Sequence, residues 1–99
     1  MKIPKKIRMF GFDWKVIIDK KDGGGAYYWE TKKIIIGNKY GEMEKVLLHE
    51  ILEAIITYNH CRFYGNENAQ EYQFLFNHTK FCEINSQFYD ILKDNKLLK

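Results

Sequence analysis

Apolar and polar positions alternate with a period of about two through the first third of the chain and switch to a period near 3.6 after Ile36. Lys5–Phe10 and Trp14–Asp19 are rich in β-branched and aromatic residues and are separated by Gly11-Phe12-Asp13, the pattern of a hairpin closed by a short turn. Lys20-Lys21-Asp22-Gly23-Gly24-Gly25 reads as a loop and not as a linker between domains. Beyond it, Ala26–Trp29 and Lys33–Ile36 flank Glu30-Thr31-Lys32 as a second hairpin. The pattern predicts four short strands in a meander.

From Gly37-Asn38-Lys39-Tyr40-Gly41 onward the spacing becomes helical. Glu42 and Glu44 suit the positive end of a helix dipole, and Val46, Leu47, Leu48, Ile51, Leu52, Ile55, Ile56 and Tyr58 form a broad apolar surface running to about Asn59. That breadth predicts a mostly buried helix. Gly65-Asn66-Glu67-Asn68 marks a loop, Glu71–Phe76 is ambiguous between strand and helix, and Thr79–Asp94 is again helical through Phe81, Ile84, Phe88, Ile91 and Leu92. The expected fold class is α+β: a small N-terminal antiparallel sheet of two hairpins packed on two long helices. At 99 residues the chain has material for a single domain, 1–99.

Composition adds that 45% of residues are hydrophobic and 16% aromatic, enough for a real core and too many for a disordered chain. The net charge of +3 is modest, and its excess lies in residues 1–33, with nine basic and four acidic side chains. Lys5, Lys6 and Arg8 fit a charged edge strand better than a nucleic-acid footprint, and Tyr27, Tyr28 and Trp29 fit core packing by alternate residues better than a base-stacking platform. Nucleic acid is therefore not an expected partner. No apolar run reaches the roughly 18 residues needed to span a bilayer, and no signal-peptide core follows Met1-Lys2-Ile3-Pro4, so the expectation is a cytoplasmic protein without a membrane partner. Cys61 and Cys82 stand apart in sequence and read as reduced, packing thiols.

Against this background three ionisable residues stand out on the apolar helix: His49, Glu50 and Glu53, in Leu47-Leu48-His49-Glu50-Ile51-Leu52-Glu53-Ala54-Ile55. Helix geometry puts His49 and Glu53 about 40° and about 6 Å apart on one face, close enough to share a metal ion. Glu50 is turned by about 100° from His49, the offset that in H-E-x-x-H enzymes lets the glutamate act as general base without being a ligand. The strand, short turn and His-Glu helix are also the layout of zinc-peptidase active sites, in which the upstream strand edge can hold an extended substrate. A catalytic zinc prefers three protein ligands and an open position. His60 lies about 16 Å farther along the helix axis and reads as a C-terminal dipole partner. His78, at the start of the second helix, is either the third ligand, a partly buried histidine or a residue near that helix's N-cap. With His78 the set would be His₂Glu, which suits zinc (Zn2+) and amide hydrolysis through a metal-activated water. An oxyanion-stabilising hydroxyl could come from Tyr40, Tyr64 or Tyr72.

Ile3-Pro4-Lys5-Lys6-Ile7, Gly11–Val16, Lys33–Ile36, Val46–Ile55 and Phe88–Asn95 together resemble the small phage and prophage metallopeptidases of the zincin-like type. The resemblance spans nearly the whole chain and implies a minimal zinc-dependent peptidase with His49 as first ligand and Glu50 as catalytic glutamate. Most relatives carry His where this chain has Glu53, and an acidic third ligand on the second helix. The exchange implies that His78 supplies the compensating histidine, giving the metal ligands His49, Glu53 and His78. The expected substrate is a protein or peptide. The competing expectation is a non-catalytic binding module that keeps the fold and uses its basic N-terminal third to hold an acidic protein or nucleic acid.

Overall fold

Phe10 and Gly11 both take positive φ (57° and 82°) and close β1 (Lys6–Met9) onto β2 (Phe12–Asp19) through a two-residue turn whose twist matches that of the strands. The turn thus falls one residue earlier than the sequence suggested. The computed structural model describes residues 2–64 and 71–98. A second hairpin joins β3 (Gly25–Tyr28) to β4 (Lys33–Gly37), with Tyr27 opposite Ile34.

The two hairpins do not lie side by side as a meander. The sheet order is β1-β2-β4-β3, and β4 runs parallel to β2 with Val16 opposite Ile34 and Ile18 opposite Ile36. The composition of the strands explains the order. Ile34-Ile35-Ile36 carries no charge and takes an interior position, whereas β3 begins at a glycine and ends at the exposed Tyr28, and takes the edge. The loop before β3 secures the crossover: Gly37 N–H donates to Gly24 O (2.6 Å), Asn38 N–H to Asp19 O (3.0 Å) and Lys39 N–H to Asp22 O (3.0 Å). A Cβ on Gly37 would collide with the carbonyl oxygens of Asp22 and Gly24, so only glycine admits this closure.

Ile7, Met9, Trp14, Val16, Ile34 and Ile36 alternate onto one face of the sheet and are buried there. The helix α1 (Met43–Tyr58) lies on that face and buries Leu47, Ile51, Ala54, Ile55 and Ile56 against them. The second helix, α2 (His78–Asp94), is amphipathic and buries only Ile84 and Ile91; Asn77 caps it by accepting from Lys80 N–H (2.9 Å). Between the helices, β5 (Arg62–Tyr64) and β6 (Tyr72–Phe74) pair antiparallel, so the ambiguous stretch Glu71–Phe76 contains a short strand. The expected loop at Gly65–Asn68 lies outside the described residues. The class is α+β, a four-stranded sheet with two helices. No described helix is long and apolar enough to cross a membrane.

Both helices end on a left-handed residue that is not glycine. After α1, His60 (φ 58°) donates to Thr57 O and Cys61 to Ile56 O; after α2, Lys96 (φ 57°) donates to Lys93 O and Leu97 to Leu92 O. These paired bonds form Schellman caps. Asn95, beside the second cap, clamps α2 to the outer edge of β1. Its Oδ1 accepts from Arg8 N–H (2.7 Å), and its Nδ2 donates to Arg8 O (2.9 Å) and to Ile91 O (2.8 Å). Asn95→Ala is expected to cost about 0.5–1.5 kcal/mol in urea unfolding, because two exposed bonds to Arg8 and a part-buried one to Ile91 O are lost. On the same edge Lys6 and Arg8 face Asp13 at 3.8 Å and 3.3 Å, as a charged edge strand should.

Candidate metal centre

The helix spacing that puts His49 and Glu53 on one face brings His49 Nε2 to 3.0 Å from Glu53 Oε2. Glu50, a quarter turn away, points toward the sheet, and its residue is only 4% exposed. One donor atom from each of His49, Glu50 and Glu53 falls within 4.8 Å of the others. Glu50 Oε2 is buried and has no hydrogen-bond partner. Burial above all pushes the Glu50 carboxyl above its ordinary value, while the nearby His49 lowers it, Glu53 raises it further, and Arg62 opposes the rise.

The cleft around these three side chains, about 330 Å³, is completed by Gly25, Ala26, Tyr27, Arg62 and Tyr72. Gly25 is there for its lack of a side chain. A Cβ on it would stand 2.6 Å from Val46 Cγ1, 2.9 Å from Ile35 O and 3.2 Å from Glu50 Cγ, so glycine is what lets β3 approach α1 beside Glu50. Thr57 Oγ1 donates to Glu53 O (2.8 Å) and accepts from the Tyr27 hydroxyl (2.5 Å), which ties the edge strand to the turn of α1 that carries Glu53. Burial raises the Tyr27 phenol above its ordinary value, against the Thr57 hydrogen bond. Arg62 Nη1 lies 3.3 Å from Glu53 Oε1, and the guanidinium carbon sits 4.1 Å from the Tyr72 ring centroid and 5.6 Å from that of Tyr27.

His78 is not gathered with His49 and Glu53, which corrects the expected His49–Glu53–His78 set. It is the first residue of α2, exposed, with its ring 3.8 Å from Cys82 Sγ one turn on and 6.2 Å from the Phe81 ring. The cause lies in how α2 docks. Its buried contacts are Ile84 and Ile91, beyond its first turn, so the turn carrying His78 stays in solvent. His60 is likewise outside the group and serves as the left-handed residue of the α1 cap. Cys61 is a buried thiol, as expected, whereas Cys82 is an exposed one. Of the tyrosines considered for an oxyanion, Tyr72 lines the cleft, Tyr40 lies against Gly23, and the Tyr64 side chain falls outside the described residues.

Arg62 and Gly25 are cleft residues that the sequence did not single out, and Tyr27, expected as a packing residue, is a third. Each arrives from another element, and no periodicity along α1 announces them. The donor set fits a divalent cation: an imidazole nitrogen and a carboxylate oxygen in contact, a second carboxylate oxygen buried without a partner, and Glu53 balanced on its other oxygen by Arg62. What the fold and site define is a small α+β protein with a helix-borne His-Glu-Glu group beside a sheet edge. Compared with protein-family models, curated proteins and solved structures, the chain matches none.

Proposed function

We propose that this chain is a zinc-dependent peptidase of the zincin-like type that hydrolyses peptide bonds of a protein or peptide substrate, in the cytoplasm of the host of a phage or prophage. The observation that carries the reading is Glu50, a carboxylate buried at 4% exposure with a partnerless oxygen, beside a histidine and a second carboxylate in one cleft. A helix has little reason to bury such a group on its apolar side unless the group has a task.

His49 and Glu53 are the residues that would hold the ion. A bound zinc ion would polarise the scissile carbonyl and make a water molecule more acidic. The remaining work falls to the protein. Glu50 takes a proton from the attacking water as its oxygen bonds to the carbonyl carbon, and passes that proton to the amine nitrogen as the C–N bond breaks, leaving one carboxylate and one amine product. In the metal-free cleft burial raises its pKa, which makes it a better proton acceptor than an exposed glutamate. The outer strand β3, set close to Glu50 by Gly25, offers an edge along which an extended peptide could pair.

The test is metal content together with hydrolysis. Elemental analysis of the purified chain is expected to give one zinc per molecule, His49→Ala and Glu53→Ala to weaken binding by about 10- to 100-fold or more, and chelation to abolish cleavage of an unstructured protein until zinc is restored. Absence of both stoichiometric zinc and zinc-restored cleavage would sink the reading.

A further inference from the structure

Arg62 borders two clefts at once. It lines the one around His49, Glu50 and Glu53, and also a second, mainly apolar one of about 380 Å³ formed with Tyr27, Tyr28, Trp29 and Thr57. Among the described residues it is the only lysine or arginine lining either. Glu30 also lines the second cleft, so negative charge on a ligand there is favoured only at the Arg62 end.

The guanidinium is loosely engaged. Its contact to Glu53 is through Nη1 at 3.3 Å, long for a charge-assisted bond, which is typically about 2.7–2.9 Å. The guanidinium carbon lies over two aromatic rings, 4.1 Å from the Tyr72 centroid and 5.6 Å from that of Tyr27, cation–π contacts that occupy none of its N–H donors. A planar fork with spare donors at the junction of a polar and an apolar cleft matches a carboxylate carried next to an apolar side chain. Once Glu53 serves as a metal ligand, it has less need of Arg62 as a counter-ion.

We propose that Arg62 is a specificity-determining residue that receives a carboxylate of the substrate, with the adjoining apolar side chain in the Tyr28–Trp29 cleft. The inference rests on the peptidase reading of the same site. The carboxylate could be a chain's own C-terminus or an Asp or Glu side chain, and the two sources can be told apart.

Binding is measured first, without catalysis. N-acetylphenylalanine and its amide are titrated into the protein with and without zinc and followed by calorimetry. The free acid is expected to bind at least about tenfold more tightly, Arg62→Gln to erase the difference, and Arg62→Lys to retain part of it. Equal binding of acid and amide to the wild type overturns the proposal, whether or not the variants fold. So does a preference for the acid that survives intact in Arg62→Gln, since the carboxylate would then be held by the metal or another group. Cleavage then identifies the source. A peptide ending in a free acid is compared with its C-terminal amide, and an internal Phe-Asp peptide with its Phe-Asn counterpart. An approximately tenfold preference in the first pair assigns the C-terminus, and one in the second assigns an acidic side chain. If peptides are cleaved but at equal rates within both pairs, the proposal fails and the peptidase reading stands. If no peptide is cleaved and the chain also lacks stoichiometric zinc, the peptidase reading fails, while the acid–amide contrast still decides what Arg62 binds.

Discussion

Glu50→Gln is expected to lower peptide hydrolysis by about 10²- to 10⁴-fold, the usual contribution of a positioned general acid–base, and by more than any accompanying loss of zinc accounts for. The same variant has a second, opposite signature in the metal-free protein. Burial raises the Glu50 carboxyl above its ordinary 4.5, so the folded chain holds that proton more tightly than the unfolded chain does. The stability this supplies is present in full below about pH 4.5 and is lost as pH rises through the raised folded value. Glutamine does not titrate. The melting temperature of the metal-free variant is therefore expected to match or exceed that of the wild type at pH 7–8, and its advantage to shrink toward pH 4. A variant less stable than the wild type at pH 8 would mean that the ionised carboxylate is held by partners in the fold, contrary to its partnerless Oε2.

The largest effect on stability is expected at Trp14. Its side chain is fully buried at the centre of the core face, its indole N–H donates to Met9 O (3.0 Å), and its ring meets Trp29 edge-on at 5.2 Å. Trp14→Ala removes all three contributions and leaves a large cavity between sheet and α1, for a cost of about 3–5 kcal/mol. A domain of this size has on the order of 5–15 kcal/mol in total, so the variant should be close to unfolding at 37 °C. Trp29→Ala should cost less, about 1–2 kcal/mol, since the residue is about a third exposed (36%) and its ring stacks on Tyr58 and meets Phe10 at a tilt. Urea midpoints of the two variants measured side by side check the ranking; equal losses would contradict it.

These residues also show where sequence reading reaches and where it stops. The helix Met43–Tyr58 was legible because its apolar stripe is a local pattern, and the adjacency of His49 and Glu53 followed from the geometry of one helix turn. The strands were legible as strands, with the first hairpin turn displaced by one residue. Their order was not, because the insertion of β4 between β2 and β3 depends on which strand is apolar enough for the interior and on a loop closed through Gly37. His78 failed for a related reason. Its distance from His49 is set by where Ile84 and Ile91 dock, which spacing along α2 does not encode. Arg62 had no signal at all, as it reaches Glu53 only after the chain has turned at His60 and reversed.

The amide of Asn95 has a consequence for how this sheet can grow. By occupying both the N–H and the C=O of Arg8, it plugs the β1 margin, and the cationic Lys6 and Arg8 side chains stand guard beside the plug. Head-to-tail stacking of sheets from successive molecules needs two receptive margins, and here one is stoppered by the protein's own C-terminal helix. Polymerisation through the sheet is thereby discouraged without sacrificing the opposite margin. Any added strand is steered to the side where Gly25 brings β3 against Glu50.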